Sequence, residues 1–304
     1  MARVTVMIPT QRRPDGLAVA VRSVFGQVGV DFAELEVVIV DNDQAPSAKP
    51  VIDALSKSAP CPVIYVNEKR PGVAFARNAG MARASGDLIA FLDDDEEAPS
   101  GWLAALLAAQ ERYDADVVFG PVRARAPAHI DQHRDYLERF FSRIGPAEAG
   151  LIKHHYGCGD SLIRRSALPD PVAPFAVERN FIGGEDDMLF GHMGAAGKRF
   201  AWEPAAWVWE DPVPSRLNLG YTIQRAFAYG QGPSAHCAAA LPRDHLGVAR
   251  WMVIGLGQAA VFGLVAALKW AVRAKDRAEW LDRAARGLGK TLWWGPFKIQ
   301  FYGR

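Results

Sequence analysis

Over the first 122 residues, short and nearly unbroken apolar runs alternate with longer amphipathic stretches. VTVMIP (4–9), EVVIVDN (36–42), PVIYVN (62–67), DLIAFLDDD (87–95) and DVVFGPV (116–122) are rich in Val and Ile. They are continuous rather than alternating, as expected of strands buried on both faces. Between them, 15–26, 46–58, 72–85 and 100–113 carry helical periodicity, with Ser100 placed to cap the last. This alternation predicts βαβ units and a mostly parallel sheet, hence an α/β fold. Ligands of such sheets bind beyond the carboxyl ends of the strands. That edge collects Pro9-Thr10, Asp41-Asn42-Asp43, Asn67 and Asp93-Asp94-Asp95.

Residues 123–215 are less regular and richer in Gly, Pro and Trp, whereas 216–304 are helical in pattern, mostly basic and dense in aromatics. The expected organisation is a domain over 1–215 followed by a helical region over 216–304.

Charge and cysteine content narrow the function. Thirty-five Lys+Arg against 34 Asp+Glu give a formal net charge of +1, which lacks the overall basic footprint of a nucleic-acid-binding protein. Cys61, Cys158 and Cys237 form no CxxC or disulfide framework and fit a reducing cytoplasm. MARVTVMIPT enters a strand pattern without signal-peptide features.

Three adjacent carboxylates repel one another and raise one another's pKa. Asp93-Asp94-Asp95 therefore reads either as a divalent-cation site built from hard oxygen ligands or as an acidic turn favoured by the following helix N-terminus. Asp41, after VVIV, reads either as a hydrogen-bond acceptor for a nucleobase or ribose or as a turn residue ending the strand. In GGEDDML, Glu185-Asp186-Asp187 are either N-terminal helix residues or the source of a general base for a hydroxyl nucleophile. Other patterns fail on inspection. GLGKT (287–291) lacks the earlier P-loop glycine, GCGDSL (157–162) has Leu162 in place of the last glycine of GxGxxG, and His154, His155, His192 and His245 show no HExxH spacing.

As an ordered set, VMIPTQRRP, VVIVDND, PGVAFARNAG, FLDDDEE and GGEDD resemble the family 2 glycosyltransferases of GT-A (Rossmann-like) fold. VDNDQAPSAKPVI, DDDEEAPSGWLAALL and GLGKTLWW extend the resemblance to the ExoM-like bacterial exopolysaccharide (succinoglycan-type) glucosyltransferases. The resemblance implies a UDP-sugar donor, Mn²⁺ or Mg²⁺, and inversion at the anomeric carbon. It places Pro9, Thr10 and Asp41 at the uridine, with Arg12, Asn42, Arg70, Asn78 and Asp94 also on the nucleotide sugar. Asp93 and Asp95 become the DxD pair, Asp95 on the metal and Asp93 on metal and ribose. Asp186 becomes the base, Glu185 orients the acceptor, and Arg225, in QRAFAYGQ, faces the diphosphate. Met188-Leu189 after Asp187 departs from the family's usual x-Asp-Leu continuation. The QxxRW sequence of processive synthases is not present as such, so addition of a single sugar is expected.

Residues 251–268 are eighteen without a charge, at the lower limit for a membrane span. A single span would carry nine Lys/Arg between 269 and 304 across the bilayer, against the positive-inside tendency. An interfacial or re-entrant helix is expected instead, with Arg273, Lys275, Arg277, Arg283 and Arg286 meeting anionic headgroups on the inner face of the cell membrane. A soluble helical lid is the alternative. The expected acceptor, on the family likeness, is a polyprenyl-diphosphate-linked glycan, with polysaccharide assembly partners alongside. Other expectations are a sugar-1-phosphate nucleotidyltransferase and a catalytically silent assembly scaffold.

Overall fold

The structure, a computed structural model, describes residues 2–180 and 183–299; Phe181 and Ile182, which precede GGEDD, lie outside them. In chain order the elements begin β1 (Val4–Thr10), α1 (Pro14–Phe25), β2 (Leu35–Asp41), α2 (Lys49–Leu55), β3 (Val63–Asn67), α3 (Val73–Met81) and β4 (Leu88–Phe91). Next come β5 (Glu96–Glu97), α4 (Trp102–Tyr113), β6 (Val117–Phe119), β7 (Val122–Ala124), α5 (Arg134–Phe141) and β8 (Gly150–Ile152). The chain continues through β9 (Ser161–Arg164), α6 (Glu185–Ala195), β10 (Phe200–Trp202) and β11 (Val208–Glu210). It ends in the helices α7 (Leu219–Ala239), α8 (His245–Ala271) and α9 (Arg277–Thr291).

Among the described residues there are two compact units. One comprises residues up to Arg123 with Ser142–Asp211, the other Ala124–Phe141 with residues from Pro212 on. The expected division at 215/216 did not separate out 124–141. That segment groups with the C-terminal helices because Tyr136 and Leu137 of α5 are buried with Leu217 and Ala278.

The first unit is built on an eight-stranded sheet in the order β3-β2-β1-β4-β9-β6-β10-β8. Strands β3, β2, β1 and β4 are mutually parallel, as the sequence predicts. Beyond β4 the sheet is mixed, since β9 runs antiparallel to both β4 and β6. A small second sheet has the order β5-β11-β7. Successive residues of one strand point to opposite faces, and both faces are covered. Val6, Ile8, Val37 and Ile39 lie in a core with Leu17, Val21, Trp102 and Leu106; Met7, Ile89, Phe91 and Phe119 lie in another with Met81, Phe190 and Trp202. This double cover is why the strand runs are continuously apolar.

Register aligns the functional edge: Thr10 lies opposite Asp41, Asp41 opposite Asn67, and Met7 opposite Phe91. The strand predicted over 87–95 stops at Phe91, which leaves Asp93–Asp95 in a turn. The strand predicted over 116–122 breaks at Gly120-Pro121 into β6 and β7. Helix α3 ends at Met81 rather than 85. Ser100 is not the cap of α4; Gly101 holds that position, while the Ser100 carbonyl accepts the Val28 N–H at 2.7 Å.

In the second unit, GLGKT lies inside α9, where its glycines permit close helix packing. A Cβ on Gly289 would lie 2.0 Å from the Phe227 carbonyl oxygen of α7, and one on Gly287 2.7 Å from the Ala259 nitrogen of α8. Helix α8 buries only Gly255 and Ala266, and leaves Val253, Leu256, Val261, Leu264 and Leu268 exposed. It is long and apolar enough to cross a membrane. Gly289→Ala is expected to destabilise the protein by about 1–3 kcal/mol through overpacking against the α7 backbone, measured by urea denaturation. Unchanged stability would mean that α9 is not held at this distance.

Candidate active site

The acidic turn is organised from β1 and α1. The Asp94 carboxylate accepts from Thr10 Oγ1 at 2.8 Å, the Gln11 N–H at 3.4 Å and Arg13 Nη1 at 3.0 Å. The same Arg13 nitrogen donates to Asp95 Oδ2 at 2.6 Å. Asp93 donates its N–H to buried Glu96 Oε2 at 2.8 Å, and its carboxylate lies 3.6 Å from Arg77. Arg77, buried on α3, donates to Glu185 Oε1 at 2.6 Å. The adjacent Asp186 accepts the Cys158 N–H at 3.1 Å and the Asp187 N–H at 2.9 Å.

One loop, Gly157–Asp160, runs beside both acidic groups. A Cβ on Gly159 would stand 2.6 Å from Asp93 Oδ2, and one on Gly157 3.3 Å from Asp186 Oδ2. Larger side chains there would fill the space bordering Asp93 and Asp186. Arg143 fixes the loop by donating to the carbonyls of Gly157, Gly159 and Asp160 and to that of Gly120. Beneath it, Asp160 Oδ1 accepts from Trp102 Nε1 at 2.7 Å, while buried Asp160 Oδ2 has no hydrogen-bond partner.

Burial, reinforced by repulsion from Asp95 and Asp93 and opposed by Arg13 and Thr10, pushes Asp94 up to about 6. Burial likewise raises Asp93, where Asp95 and Asp186 add to the effect and Arg77 opposes it. Glu96 is raised well above the ordinary range by burial and by Asp93 and Asp160. Glu185 is raised by burial and Asp186 against the pull of Arg77. Burial takes Asp160 to about 7, against Arg143 and the Trp102 hydrogen bond.

The residues marked out by the sequence separate into different environments. Thr10, Asp93, Asp94, Asp95, Glu185 and Asp186 gather in this acidic region, with Pro9 half-buried one residue before Thr10. Asp41 is fully buried; its carboxylate accepts from the Ala48 N–H, Tyr65 Oη and Ser47 Oγ, so its donors come from the protein itself. Asn42 ties down the loop after β3 through the Glu68 and Arg70 carbonyls and the Gly72 N–H. Arg12 is exposed and pairs with Asp43. Arg70 pairs with Glu68 and lies over the Phe75 ring. Asn78 is engaged with the Phe175 backbone. Arg225 lies in the second unit and donates to Tyr229 Oη. Sequence reasoning passed over Arg13, Arg77, Arg143 and the 157–160 loop. Arg13 stands beside Arg12 in TQRRP and Arg77 beside Asn78 in FARNAG; GCGD carried a glycine signal of its own.

Hard carboxylate oxygens suit Mg²⁺ or Mn²⁺. Among the described residues no three His, Cys, Asp or Glu side chains form a ready cation cage. Such ions commonly take one or two carboxylates and complete their shell with water and substrate phosphates. Asp93 and Asp95, whose side chains are 36% and 22% exposed, fit that donor set.

A parallel β3-β2-β1-β4 array, an acidic turn past β4 and a second acidic pair opening α6 form the arrangement that the GT-A resemblance implies. The chain matches the family described as Glycosyl transferase family 2 over residues 5–170. It is 34% identical over 229 residues to succinoglycan biosynthesis protein ExoM of Rhizobium meliloti (strain 1021), covering 75% of this chain and 73% of that protein. It is also 33% identical over 108 residues to the GalNAc(5)-diNAcBac-PP-undecaprenol beta-1,3-glucosyltransferase of Campylobacter jejuni, covering 35% of this chain and 34% of the relative. The chain belongs to the family 2 glycosyltransferases. In fold it is similar to the mannosyltransferase PcManGT from Pyrobaculum calidifontis, solved with GDP-Man and Mn²⁺, with a TM-score of 0.62 and 21% identity over 96% of this chain and 87% of that one. S. aureus TarS 1-349 in complex with UDP gives a TM-score of 0.55 and 17% identity over 93% and 89%.

The raised carboxylates have a consequence for stability. Between an unfolded pKa of about 3.9 and folded values of about 6 for Asp94 and about 7 for Asp160, the folded state binds more protons than the unfolded. Stability contributed by these groups therefore falls as pH rises from about 4 to about 7. The metal-free protein is expected to melt a few degrees higher at pH 5.5 than at pH 7.5, with Asp94→Asn narrowing the gap. A wild-type melting temperature that rises with pH over this window would refute the reading.

Proposed function

We propose that the chain is an inverting, metal-dependent hexosyltransferase that moves one sugar from a UDP-sugar, UDP-glucose first, to a polyprenyl-diphosphate-linked glycan in exopolysaccharide synthesis. The observation that carries this is Arg77, which lies 3.6 Å from Asp93 and 2.6 Å from Glu185 and so joins the donor-side and acceptor-side carboxylates. The likeness to ExoM and to an undecaprenol-linked glucosyltransferase supports the acceptor class. The solved complexes of fold relatives with nucleotides and Mn²⁺ support the donor and the cation. Family membership favours transfer over the nucleotidyltransferase and scaffold alternatives.

Asp93 and Asp95 would hold the divalent ion, whose chemistry is to neutralise charge developing on the departing diphosphate. Asp186 sits in the first turn of α6, where the helix dipole favours a charged carboxylate. Backbone N–H groups of Cys158 and Asp187 fix its orientation. It accepts the proton of the acceptor hydroxyl as that oxygen bonds to the anomeric carbon and the bond from that carbon to the diphosphate breaks. Glu185, anchored by Arg77, orients the acceptor. Thr10 and Asp94 shape the donor side. The uridine is read by the edge around Pro9 and Thr10 rather than by the enclosed Asp41 carboxylate or the Asn42 amide, which is engaged with the loop after β3. The exposed apolar residues of α8, with Arg273 and Lys275 following them, form a surface suited to peripheral contact with an anionic inner-membrane face.

Calorimetric titration of UDP is expected to show Mn²⁺-dependent binding that is lost in Asp95→Ala; folded wild-type protein that binds no UDP would overturn the assignment. Asp186→Asn is expected to lower kcat by about 10²–10⁴-fold, the range for general-base loss, with UDP affinity kept. Normal turnover in that variant would assign the base elsewhere.

A further inference from the structure

Arg13 stands apart from the other cations around the acidic turn. One of its nitrogens reaches two neighbouring carboxylates, Asp94 Oδ1 at 3.0 Å and Asp95 Oδ2 at 2.6 Å, and its side chain is 31% exposed. Arg77, by contrast, is held by Glu185 and has a side chain only 6% exposed. Arg13 is the N-cap residue of α1, directly before Pro14, so its backbone is pinned while its side chain is not enclosed.

We propose that Arg13 is an exchangeable counter-ion: it competes with the divalent cation for Asp95, and once displaced it turns to the donor diphosphate. This rests on the assignment of Asp95 as a metal ligand. The charge balance is simple. Arg13 is the counter-ion that Asp94 and Asp95 share, so a divalent cation arriving at Asp93 and Asp95 supplies positive charge in its place and frees the guanidinium to face an anion. A planar guanidinium is well suited to move between carboxylate and phosphate oxygens, because the same paired N–H donors serve both. Competition has a direct signature. If the latched arrangement outweighs the open one by about ten to one, the apparent metal affinity is about tenfold weaker than that of the open site.

The test is calorimetric titration of Mn²⁺ alone, then of UDP at saturating Mn²⁺, into wild type, Arg13→Gln and Arg13→Lys, with folding checked by circular dichroism. Arg13→Gln is expected to bind Mn²⁺ alone about tenfold more tightly and UDP with Mn²⁺ at least tenfold more weakly. Arg13→Lys, which keeps the charge and loses the fork, is expected to fall between and covers the case of a Gln variant that does not fold. Mn²⁺ affinity that is unchanged or weaker in a folded Arg13 variant would overturn the competition. Undiminished UDP affinity would overturn the second role. A wild type that binds UDP without any need for Mn²⁺ removes the metal assignment itself, and this inference with it.

Discussion

The mutual repulsion of carboxylates collected at one edge of the sheet is the constraint on which the rest of the site depends. Asp93, Asp94, Asp95, Glu96, Glu185 and Asp186 are brought close by the end of β4 and the start of α6, several of them largely buried. In a low-dielectric setting such a group stays ionised only where cations or hydrogen-bond donors face it. The surroundings meet that need by different means. Arg77 is enclosed between Asp93 and Glu185, Arg13 spans Asp94 and Asp95, and Thr10 and the backbone supply neutral donors. Where donors are lacking, as at Asp160 Oδ2, the carboxyl takes up its proton near neutrality.

Space is the second constraint, and the loop over 157–160 meets it. Two glycines stand where side chains would run into Asp93 and Asp186, and Arg143 gathers the loop carbonyls that no ladder pairs. The same guanidinium lies 3.8 Å from the Asp160 carboxylate, so it sets a positive charge beneath a neighbourhood rich in negative charge. Packing around it is aromatic: Tyr156 lies against Trp202, and Phe119 meets Phe190 edge-on. The second acidic pair is thereby carried on the same apolar layer as β6 and β10.

The parallel half of the sheet was legible in the sequence because β1, β2 and β4 are buried on both faces, β3 is half-buried along its length, and each announces itself as an apolar run. The rest was less so: β5 and β8 to β11 are two to four residues long, too short to carry a period, and β9 inserts between β4 and β6 from far along the chain. Acidic site residues were visible because clustered carboxylates need a reason. The arginines were not, since an arginine in a sequence carries no sign of which carboxylate it will face. TQRRP drew attention to Arg12, yet Arg12 has positive φ and turns outward to Asp43, while Arg13 turns inward. Asp41 carries two readings in the sequence, a ligand-facing acceptor and a turn residue ending the strand, and its carboxylate closes the turn before α2 through the Ala48 N–H and Tyr65.

Permanent and exchangeable compensation serve different purposes, and burial tells them apart. Removing Arg77 would strand enclosed Glu185 with no water to replace it and take a cation from partly exposed Asp93, so it acts as part of the framework. Arg13 faces solvent on one side, and water or another cation can take its place at modest cost. On the proposed metal-dependent reaction, a site that receives and releases a doubly charged ion with each donor cannot rely on enclosed counter-charges alone, because nothing would then change when the ion departs. It needs one counter-ion that stays and one that yields, and the two arginines beside the acidic turn differ in that respect.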